Sequence, residues 1–316
     1  MVYLILGFKV ILPIIIYMGI GYFFKMRGTA QEKTFRELNK MCFRSFLPIM
    51  LFGNIYKTDL AEAFEPSVLG FGIAAAFVTF FLGLIVTNMF FRGSDAADRS
   101  VMIQGLYRSN FILFGLEVTK TICGEENCGM ASILMAIIIP LFNVMAVVLF
   151  ESYGGKKKGI LPVLKGIATN PLIIASALAI LLRLTGVELP AFVLKMVNSL
   201  SAVATPVALL CLGGTFTFAS AGHYRKQLTY VCLGRLFIIP AIFVAISILL
   251  GFRDNNLVAL LVMFASPAAV SSYTMACEMG GNGELAGDIV VITSVSSIVS
   301  IFLWVTILSA CGLIPA

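Results

Sequence analysis

Polar and helix-breaking residues interrupt two of the long apolar stretches of this chain, at matching places in its two halves. The first interruption, at 107–117, reads Tyr-Arg-Ser-Asn-Phe-Ile-Leu-Phe-Gly-Leu-Glu, and the second, at 264–274, reads Phe-Ala-Ser-Pro-Ala-Ala-Val-Ser-Ser-Tyr-Thr. Non-helical backbone is tolerated at membrane depth only where it is buried in protein or lines a cavity. A corresponding pair of interrupted segments is typical of the binding site of a secondary transporter.

Asn110 and Gly115 are the residues of the first interruption that could unwind its helix. Unwinding would free backbone N–H groups and turn the positive N-terminal end of a half-helix toward the interior, which suits a carboxylate. The Asn110 amide would add hydrogen-bond donors. The alternative is that Asn110 joins neighbouring helices through a hydrogen bond and takes no part in binding.

Pro267 is the helix breaker of the second interruption. It removes one backbone donor and frees the carbonyl four residues earlier. Ser266, Ser271 and Ser272 stand beside it, and their hydroxyls together with freed carbonyls could hold a cation or a substrate oxygen. The alternative is that Pro267 only kinks a continuous helix.

Other polar residues at membrane depth are functional candidates by default, because burying them in a bilayer is costly. Glu117 faces either the site or a solvated interface. Asp288 opens the last apolar stretch and is a candidate site for H⁺ or Na⁺; as an alternative, it is a favourable charge near a helix N-terminus. Asn143 follows Pro140 and is a candidate for facing the site, whereas Arg235 either attracts an anion or reaches toward the interface.

The composition is that of a polytopic membrane protein rather than a soluble one. Apolar residues make up 59% of the 316 residues and charged residues only 12%, against about 25% charged in globular chains. Stretches of roughly 20 apolar residues predict ten membrane spans, near 3–24, 37–55, 67–91, 101–122, 130–150, 161–184, 190–215, 227–251, 256–279 and 287–311.

The remaining connections are short, so they leave little room for a soluble domain that could catalyse a reaction or bind nucleic acid. His223 is the only histidine, which argues against a histidine-based catalytic triad or metal cluster. We therefore expect no enzyme activity, no metal and no organic cofactor.

The basic residues predict how the chain is oriented in a plasma or inner membrane. Connections 1–2, 3–4, 5–6 and 7–8 carry fifteen Lys and Arg, with Arg108 counted in connection 3–4, and the opposite side carries five. Because the excess marks the cytoplasmic side, both termini are expected to face outward. The net charge of +6 is explained in this way and does not require a nucleic-acid partner.

Three landmarks recur at nearly the same offset, which indicates an internal repeat. Pro13 and Pro171 are 158 residues apart, Asn39 and Asn198 are 159 apart, and Asn110 lies 157 before Pro267. The halves, 1–155 and 156–316, then each hold five spans. Because five is odd, the second half starts on the opposite side of the membrane, so the repeats are inverted and the two interruptions are expected to meet near the midplane.

Most of the seven cysteines are scattered singly in apolar context. Cys123 and Cys128 are different, since they flank Gly-Glu-Glu-Asn in a loop that is predicted to face outward. An oxidising compartment would allow a disulfide there, but the spacing alone leaves both the bonded and the free states open.

Several short motifs, in this order and spacing, resemble the auxin efflux carrier family over essentially the whole chain. Leu38-Asn-Lys40 and Phe46-Leu-Pro48 resemble its second span, and 110–116, Asn-Phe-Ile-Leu-Phe-Gly-Leu, resembles its Asn…Gly-Leu-Pro motif. Ser266-Pro-Ala-Ala-Val-Ser-Ser272 and Gly283-Glu-Leu-Ala286 resemble spans 9 and 10. The chain departs from the family motif at Glu117, where the family carries Pro.

The resemblance implies the ten-helix inverted repeat of sodium–proton antiporters and bile-acid symporters, with broken spans 4 and 9 crossing at Asn110 and Pro267. Spans 1, 2, 6 and 7 would form a scaffold and the face of a homodimer, and spans 3–5 and 8–10 would form the moving core. Substrates in the family are organic anions, including auxin and dicarboxylates such as malate. Glu117 near the crossing would then couple protons or disfavour a dianion.

We therefore expect an alternating-access carrier for a small organic anion. One alternative is a cation–proton antiporter on the same fold, although such sites usually contain a pair of adjacent acids at mid-span, which this sequence lacks. Another is a membrane sensor that binds a metabolite or lipid without transporting it.

Overall fold

The fold is a bundle of helices. The computed structural model describes residues 2–58, 65–124, 127–154, 160–216 and 222–315, and side chains in these ranges except at 2–11, 112–113, 160 and 162. The helices are α1 (Val2–Met26), α2 (Glu32–Met41), α3 (Leu47–Lys57), α4 (Pro66–Phe90), α5 (Ala96–Tyr107), α6 (Leu116–Cys123), α7 (Gly129–Tyr153), α8 (Ile160–Thr169), α9 (Pro171–Leu184), α10 (Ala191–Thr215), α11 (Arg225–Leu233), α12 (Ile239–Leu249), α13 (Asp254–Ala265), α14 (Val270–Met279) and α15 (Gly283–Ala310).

Single turns of π-helix lie inside or beside three of these helices. Cys42–Phe46 joins α2 to α3, Phe111–Gly115 leads into α6, and Gly234–Ile238 joins α11 to α12. A π-turn inserts an extra residue into the helical ladder and often marks a functional position. Two of the three, Phe111–Gly115 and Gly234–Ile238, flank the site described below.

The described helices include five that are long and apolar enough to cross a membrane, or six if α8 and α9, which meet at 60°, form one bent span. The protein is therefore an integral membrane protein with several apolar spans. Four of the five are α4, α7, α10 and α15, and the fifth runs from Arg225 to Leu249 through α11, its π-turn and α12. The remaining predicted spans coincide with α1, with α2 and α3, and with helices that are broken in the middle, namely α5–α6 and α13–α14. The count of ten stays a prediction.

Two of the three matched landmark pairs differ in their local structure. Pro171 is the first residue of α9 and follows the 60° bend, where the Asn170 side chain accepts a hydrogen bond from the Leu172 N–H at 2.9 Å. Pro13 lies inside the continuous helix α1. Asn39 is buried whereas Asn198 is exposed, so a common offset does not produce a common local geometry.

Two glycines allow α1 and α10 to approach until their backbones touch. A Cβ atom on Gly21 would lie 2.1 Å from the carbonyl oxygen of Leu210, and one on Gly213 would lie 2.0 Å from that of Met18. Small residues at such positions are typical of tightly packed helices in membranes. Helices α1 and α10 therefore form one closely packed pair.

Helix α13 lies at the centre of the bundle, and every residue from Leu257 to Ala265 is buried. It ends at Ala265, because Pro267 disfavours helical backbone at the residue before it. The chain is extended at Ser266 and Ala269 and resumes as α14 at Val270. Helix α5 likewise ends at Tyr107, and a non-helical segment at 108–110, extended at Arg108, precedes the π-turn.

Candidate functional site

The two interruptions lie side by side and hydrogen-bond to each other. The Asn110 N–H donates to the carbonyl of Pro267 at 2.7 Å, and the Ala269 N–H donates to the carbonyl of Arg108 at 3.2 Å. This antiparallel bridge between Ser109 and Ala268 uses backbone groups that the helices no longer pair. The structure therefore brings the two sequence interruptions into one place.

Arg108 lies where the two interruptions meet, and it is not among the site residues predicted from the sequence. It is only 3% exposed, and its Nη2 donates to Asn143 Oδ1 at 2.6 Å and to Ser271 Oγ at 3.1 Å. Counting Arg108 among the cytoplasmic loop charges was wrong, because α5 continues to Tyr107 and carries it into the protein interior. The cytoplasmic excess is then fourteen against five, which still favours the same orientation.

A small cavity of about 40 Å³ lies beside the paired segments. It has room for a few water molecules or one small polar group. Its lining combines hydrogen-bonding groups with apolar side chains; the lining residues are Leu47, Met50, Leu51, Arg108, Ser109, Asn110, Phe111, Ile139, Phe142, Leu172, Thr205, Ala208, Ala269, Val270 and Ser271.

Hydrogen-bond donors without a partner are concentrated at this cavity. Nε and Nη1 of Arg108 and the amide nitrogens of Asn110 and Asn143 are buried and have no acceptor among the described residues. Asn143 Oδ1 accepts from Arg108, so its amide nitrogen is free to donate. Unpaired buried donors are costly, and a bound anion would satisfy several of them at once.

The electrostatics of the cavity also favour an anion. None of the ion pairs between described residues includes Arg108. The cavity is lined by Phe111 and Val270, which open the Phe111–Gly115 π-turn and helix α14. Helix N-termini carry partial positive charge and N–H groups without intrahelical acceptors. Two N-terminal ends and one guanidinium thus converge where a carboxylate would be stabilised.

Other predicted residues of the two interruptions support this place without lining the cavity. Gly115 leaves room for the Phe111 ring, since a Cβ there would lie 2.5 Å from it. The Pro267 carbonyl accepts from Asn110, and the Ser266 hydroxyl donates back to the Val262 carbonyl of its own helix. Ser272 is buried, and its hydroxyl has no partner within the described ranges.

Glu117 does not reach the cavity, so its proposed role at the crossing is not supported by the geometry. Its side chain is 56% exposed and lies 3.8 Å from Lys120 Nζ. Each helical residue turns by about 100°, so Glu117 points away from the face that Gly115 presents. The departure from the family motif therefore does not place an acid in the site.

Arg235 neither faces the cavity nor reaches toward an interface, in contrast to both of the expected roles. It is 1% exposed, and its guanidinium donates to the carbonyl oxygens of Ser266, Leu106 and Met263 at 2.8, 3.0 and 2.8 Å, and to that of Tyr107 at 3.4 Å. The four acceptors lie at the ends of α5 and α13. Sequence could not reveal them, because the partners are backbone atoms.

A larger vestibule of about 400 Å³ opens between α2, α10, α14 and α15. Asp288 is on its wall rather than at the small cavity. Tyr273 and Thr215 also line it, and their hydroxyls are 2.6 Å apart. This hydrogen bond joins α10 to α14 on the vestibule side of Ala208 and Ser271, which line the small cavity.

The structure also describes the two cysteines that flank Gly-Glu-Glu-Asn and the residues that could ligate a metal. Cys123 and Cys128 are not bonded to each other, and Cys128 Sγ instead donates to the Gly124 carbonyl at 3.3 Å. Within the described residues no group of three or more His, Cys, Asp or Glu side chains could hold a metal ion.

Comparison with known proteins gives a consistent picture over the whole chain. Residues 6–305 match the family model described as "Membrane transport protein". An "Uncharacterized transporter" of Methanothermobacter thermautotrophicus is 23% identical over 303 residues, which cover 95% of this chain and 98% of the relative. The "Uncharacterized transporter YfdV" of Escherichia coli K12 is 25% identical, covering 93% of this chain and 95% of the relative.

A third relative has a name that states a substrate. The "Putative malonate transporter" of Rhizobium meliloti is 22% identical over 265 residues, which cover 81% of each chain. Together these matches show a transporter and leave its substrate open.

Proposed function

This chain belongs to the membrane transport protein family, the auxin efflux carrier family of the resemblance above, and we propose that it moves a small organic anion across the membrane by alternating access. The observation that carries the proposal is Arg108, a buried guanidinium beside a small cavity, with N–H groups that no described residue accepts. A permanent positive charge in the interior of a membrane protein is costly unless it is compensated, and a carboxylate substrate would compensate it.

In this proposal the substrate carboxylate binds Arg108, with Asn110 and Asn143 as further donors. The guanidinium offers a planar fork that matches a carboxylate with two hydrogen bonds. The apolar lining residues of the cavity, which include Leu51, Ile139 and Phe142, contact the carbon skeleton of the substrate. The cavity of about 40 Å³ holds the head group only, so the remainder of the substrate requires the bundle to open.

The vestibule supplies the path on one side. It borders the same two helices, α10 and α14, as the cavity, and the Tyr273–Thr215 hydrogen bond ties these helices together. Breaking that bond would connect the vestibule to Arg108. We therefore propose that this conformation is closed around the site, with the vestibule as the approach from the cytoplasm. Asp288, buried in the vestibule wall, is the proposed proton-coupling residue.

The proposal extends to the architecture. We propose ten spans in two inverted five-helix repeats, both termini outside, with scaffold spans 1, 2, 6 and 7 and a core of spans 3–5 and 8–10. The antiparallel bridge between Ser109 and Ala268, one from each half, supports this because a two-fold axis in the membrane plane relates such a pair. We also propose a homodimer through the scaffold.

Uptake into proteoliposomes tests the function. We expect uptake of labelled mono- or dicarboxylates, with malonate included because one relative is named for it. Arg108→Met should weaken uptake by a factor of about 10–100, since hydrogen bonds to a charged group contribute about 1.5–3 kcal/mol. Arg108→Lys should retain part of it, because the charge remains but the fork is lost.

Arg253→Met is the matched control, because it removes an exposed guanidinium that donates to the carbonyls of Ile248 and Phe252 and lies away from the cavity. Its uptake should equal that of the wild type. If correctly oriented wild-type protein transports no carboxylate, or if Arg108→Met retains full uptake, the proposal is wrong.

A further inference from the structure

Arg235 is held by backbone carbonyl oxygens, which is an unusual environment for an arginine. Its Nε, Nη1 and Nη2 atoms donate to Ser266, Leu106, Tyr107 and Met263. No ion pair between described residues includes it. Its positive charge is therefore compensated by dipoles and not by a carboxylate.

These carbonyls belong to the C-terminal ends of two half-helices, one from each half of the chain. Leu106 and Tyr107 are the last residues of α5, and Met263 and Ser266 lie at the end of α13. The last turn of a helix has carbonyls without intrahelical partners and carries about half a negative charge. Two such ends together match one positive charge.

A set of inward-pointing carbonyls at broken helix ends is also the ligand set that carriers use for alkali cations. Here the guanidinium occupies the position that such an ion would take. The π-turn Gly234–Ile238 places it there, and Gly234 lets this helix approach α5, since a Cβ would lie 2.6 Å from Leu106 Cδ2.

We propose that Arg235 is a covalently attached cation of the crossing, which holds the two half-helices in place and makes Na⁺ unnecessary for transport. It is a positioning residue, because it acts on the segments that carry Arg108 and Ser271 and does not line the cavity. The inference that transport does not need Na⁺ rests on the proposed carboxylate transport. The inference that these carbonyls form a cation site does not rest on it, because Arg235→Ala should create a carbonyl-lined site that binds free guanidinium whatever the protein transports.

The decisive experiment is rescue of Arg235→Ala by guanidinium, measured first as thermal unfolding of the purified protein in detergent. Low millimolar guanidinium, far below denaturing concentration, should raise the Tm of Arg235→Ala and leave that of the wild type and of Arg253→Ala unchanged. Guanidinium that binds only the folded state stabilises that state against unfolding, and this raises the Tm. Because no substrate is involved, the result does not depend on the proposed function.

Transport gives the second readout. Arg235→Ala should lose uptake by about tenfold or more, since several charge-assisted hydrogen bonds disappear, and guanidinium should restore part of it whereas Na⁺ should not. Arg235→Lys, which keeps the charge, should retain more uptake than Arg235→Ala. Wild-type uptake should be equal in sodium and choline media.

The proposal is overturned if folded Arg235→Ala gains no stability from guanidinium, or if its uptake equals that of the wild type. A requirement of the wild-type protein for Na⁺ would also overturn it. If Arg235→Ala does not fold, Arg235→Lys and the sodium comparison still decide: loss of all uptake in folded Arg235→Lys, or dependence on Na⁺, contradicts the proposal. Wild-type protein that transports no carboxylate but shows guanidinium stabilisation of Arg235→Ala would refute only the proposed function.

Discussion

Arg108 and Arg235 are both buried near the crossing, and their hydrogen bonds assign them different tasks. All three nitrogen atoms of the Arg235 guanidinium donate hydrogen bonds to backbone carbonyls. Arg108 has two polar partners on one nitrogen, and its Nε and Nη1 find no acceptor among the described residues. Arg108 also lines the cavity, so its remaining N–H groups are available to a ligand.

Asn143→Asp tests whether Arg108 must stay free of an ion pair. The new carboxylate would accept from Arg108 where the amide oxygen does now, at 2.6 Å, and would compete with an anionic substrate for the guanidinium. We expect uptake to fall by a factor of about 100 or more, as expected when a buried charge gains an internal partner, measured as initial rates in proteoliposomes.

Asn88→Asp is the matched control for this change. Asn88 Oδ1 accepts from Arg99 Nη1 at 2.9 Å, so the same type of pair exists away from the cavity. Its uptake should remain at the wild-type level. Equal effects of the two substitutions would mean that Asn143→Asp acts through folding and not through Arg108.

Helix α10 connects the two functional regions of the bundle. It packs backbone to backbone against α1 through Gly213, and it lines both the cavity and the vestibule through Ala208 and Thr215. On the other side, Thr215 is hydrogen-bonded to Tyr273 of α14. A helix that is fixed on one face and hydrogen-bonded to a neighbour on the other is suited to act as the static side of a gate.

Gly213→Ala tests the close contact of α1 and α10. The added methyl would overlap the Met18 carbonyl at 2.0 Å, which backbone shifts must relieve. Overpacking of this kind costs about 1–3 kcal/mol, so the Tm in detergent should fall. Gly19→Ala on α1 is the control, because no neighbouring atom lies within 4 Å of the place that its methyl would take; an equal fall there would contradict the explanation.

Tyr273→Phe tests the gate. Losing a hydrogen bond of about 0.5–1.5 kcal/mol should shift the conformational equilibrium by a factor of about 2–10 toward the state in which the vestibule is connected to the cavity. Labelling of Thr205→Cys, a cavity position, by a hydrophilic maleimide should therefore accelerate. The exposed Cys277 and Cys311 are replaced by Ser to provide the background.

Tyr230→Phe is the corresponding control for the gate. This substitution removes a similar hydrogen bond between Tyr230 and Thr87, whose hydroxyls are 3.0 Å apart. That bond joins α4 to α11 and lies away from the cavity. Labelling of Thr205→Cys should stay unchanged in this variant. A Tyr273→Phe rate no faster than that of Tyr230→Phe would exclude a gating role.

At the scale of the whole molecule, charge placement governs orientation and broken helices govern the site. Fourteen basic residues on one side against five on the other favour a cytoplasmic vestibule. The apolar outer surface of helices such as α4 suits a bilayer, with large exposed side chains at Phe81, Ile85 and Phe90. The polar side chains of the site, such as Arg108, Asn110 and Asn143, are buried inside the bundle instead.

Cysteine labelling in intact cells tests this orientation. Lys226→Cys precedes the eighth predicted span on the cytoplasmic side, and Arg253→Cys follows it on the outer side; both positions are exposed. In the background without exposed cysteines, a membrane-impermeant maleimide should label Arg253→Cys at once and Lys226→Cys only after lysis. The reverse pattern would invert the proposed topology.

The amino-acid sequence alone predicts a helical membrane protein and the two interruptions at 107–117 and 264–274. Both follow from local chemistry: apolar stretches partition into a bilayer, and Pro267 removes a backbone donor and disfavours helical backbone at the residue before it. The sequence predicts Asn110, Asn143 and Ser271 as site residues because polar groups are rare at membrane depth. Local chemistry could not identify Arg108, since its neighbourhood in sequence resembles a loop end.

Which polar residues contact each other becomes visible in the folded structure and not in the sequence. Arg108 contacts Ser271 across 163 positions, and Arg235 contacts Leu106 across 129. Glu117, one residue beyond the matching motif, turns outward because of helical rotation alone. A hydrogen bond depends on positions within a few tenths of an ångström, and helix packing between distant segments sets those positions. Residue type alone cannot specify them.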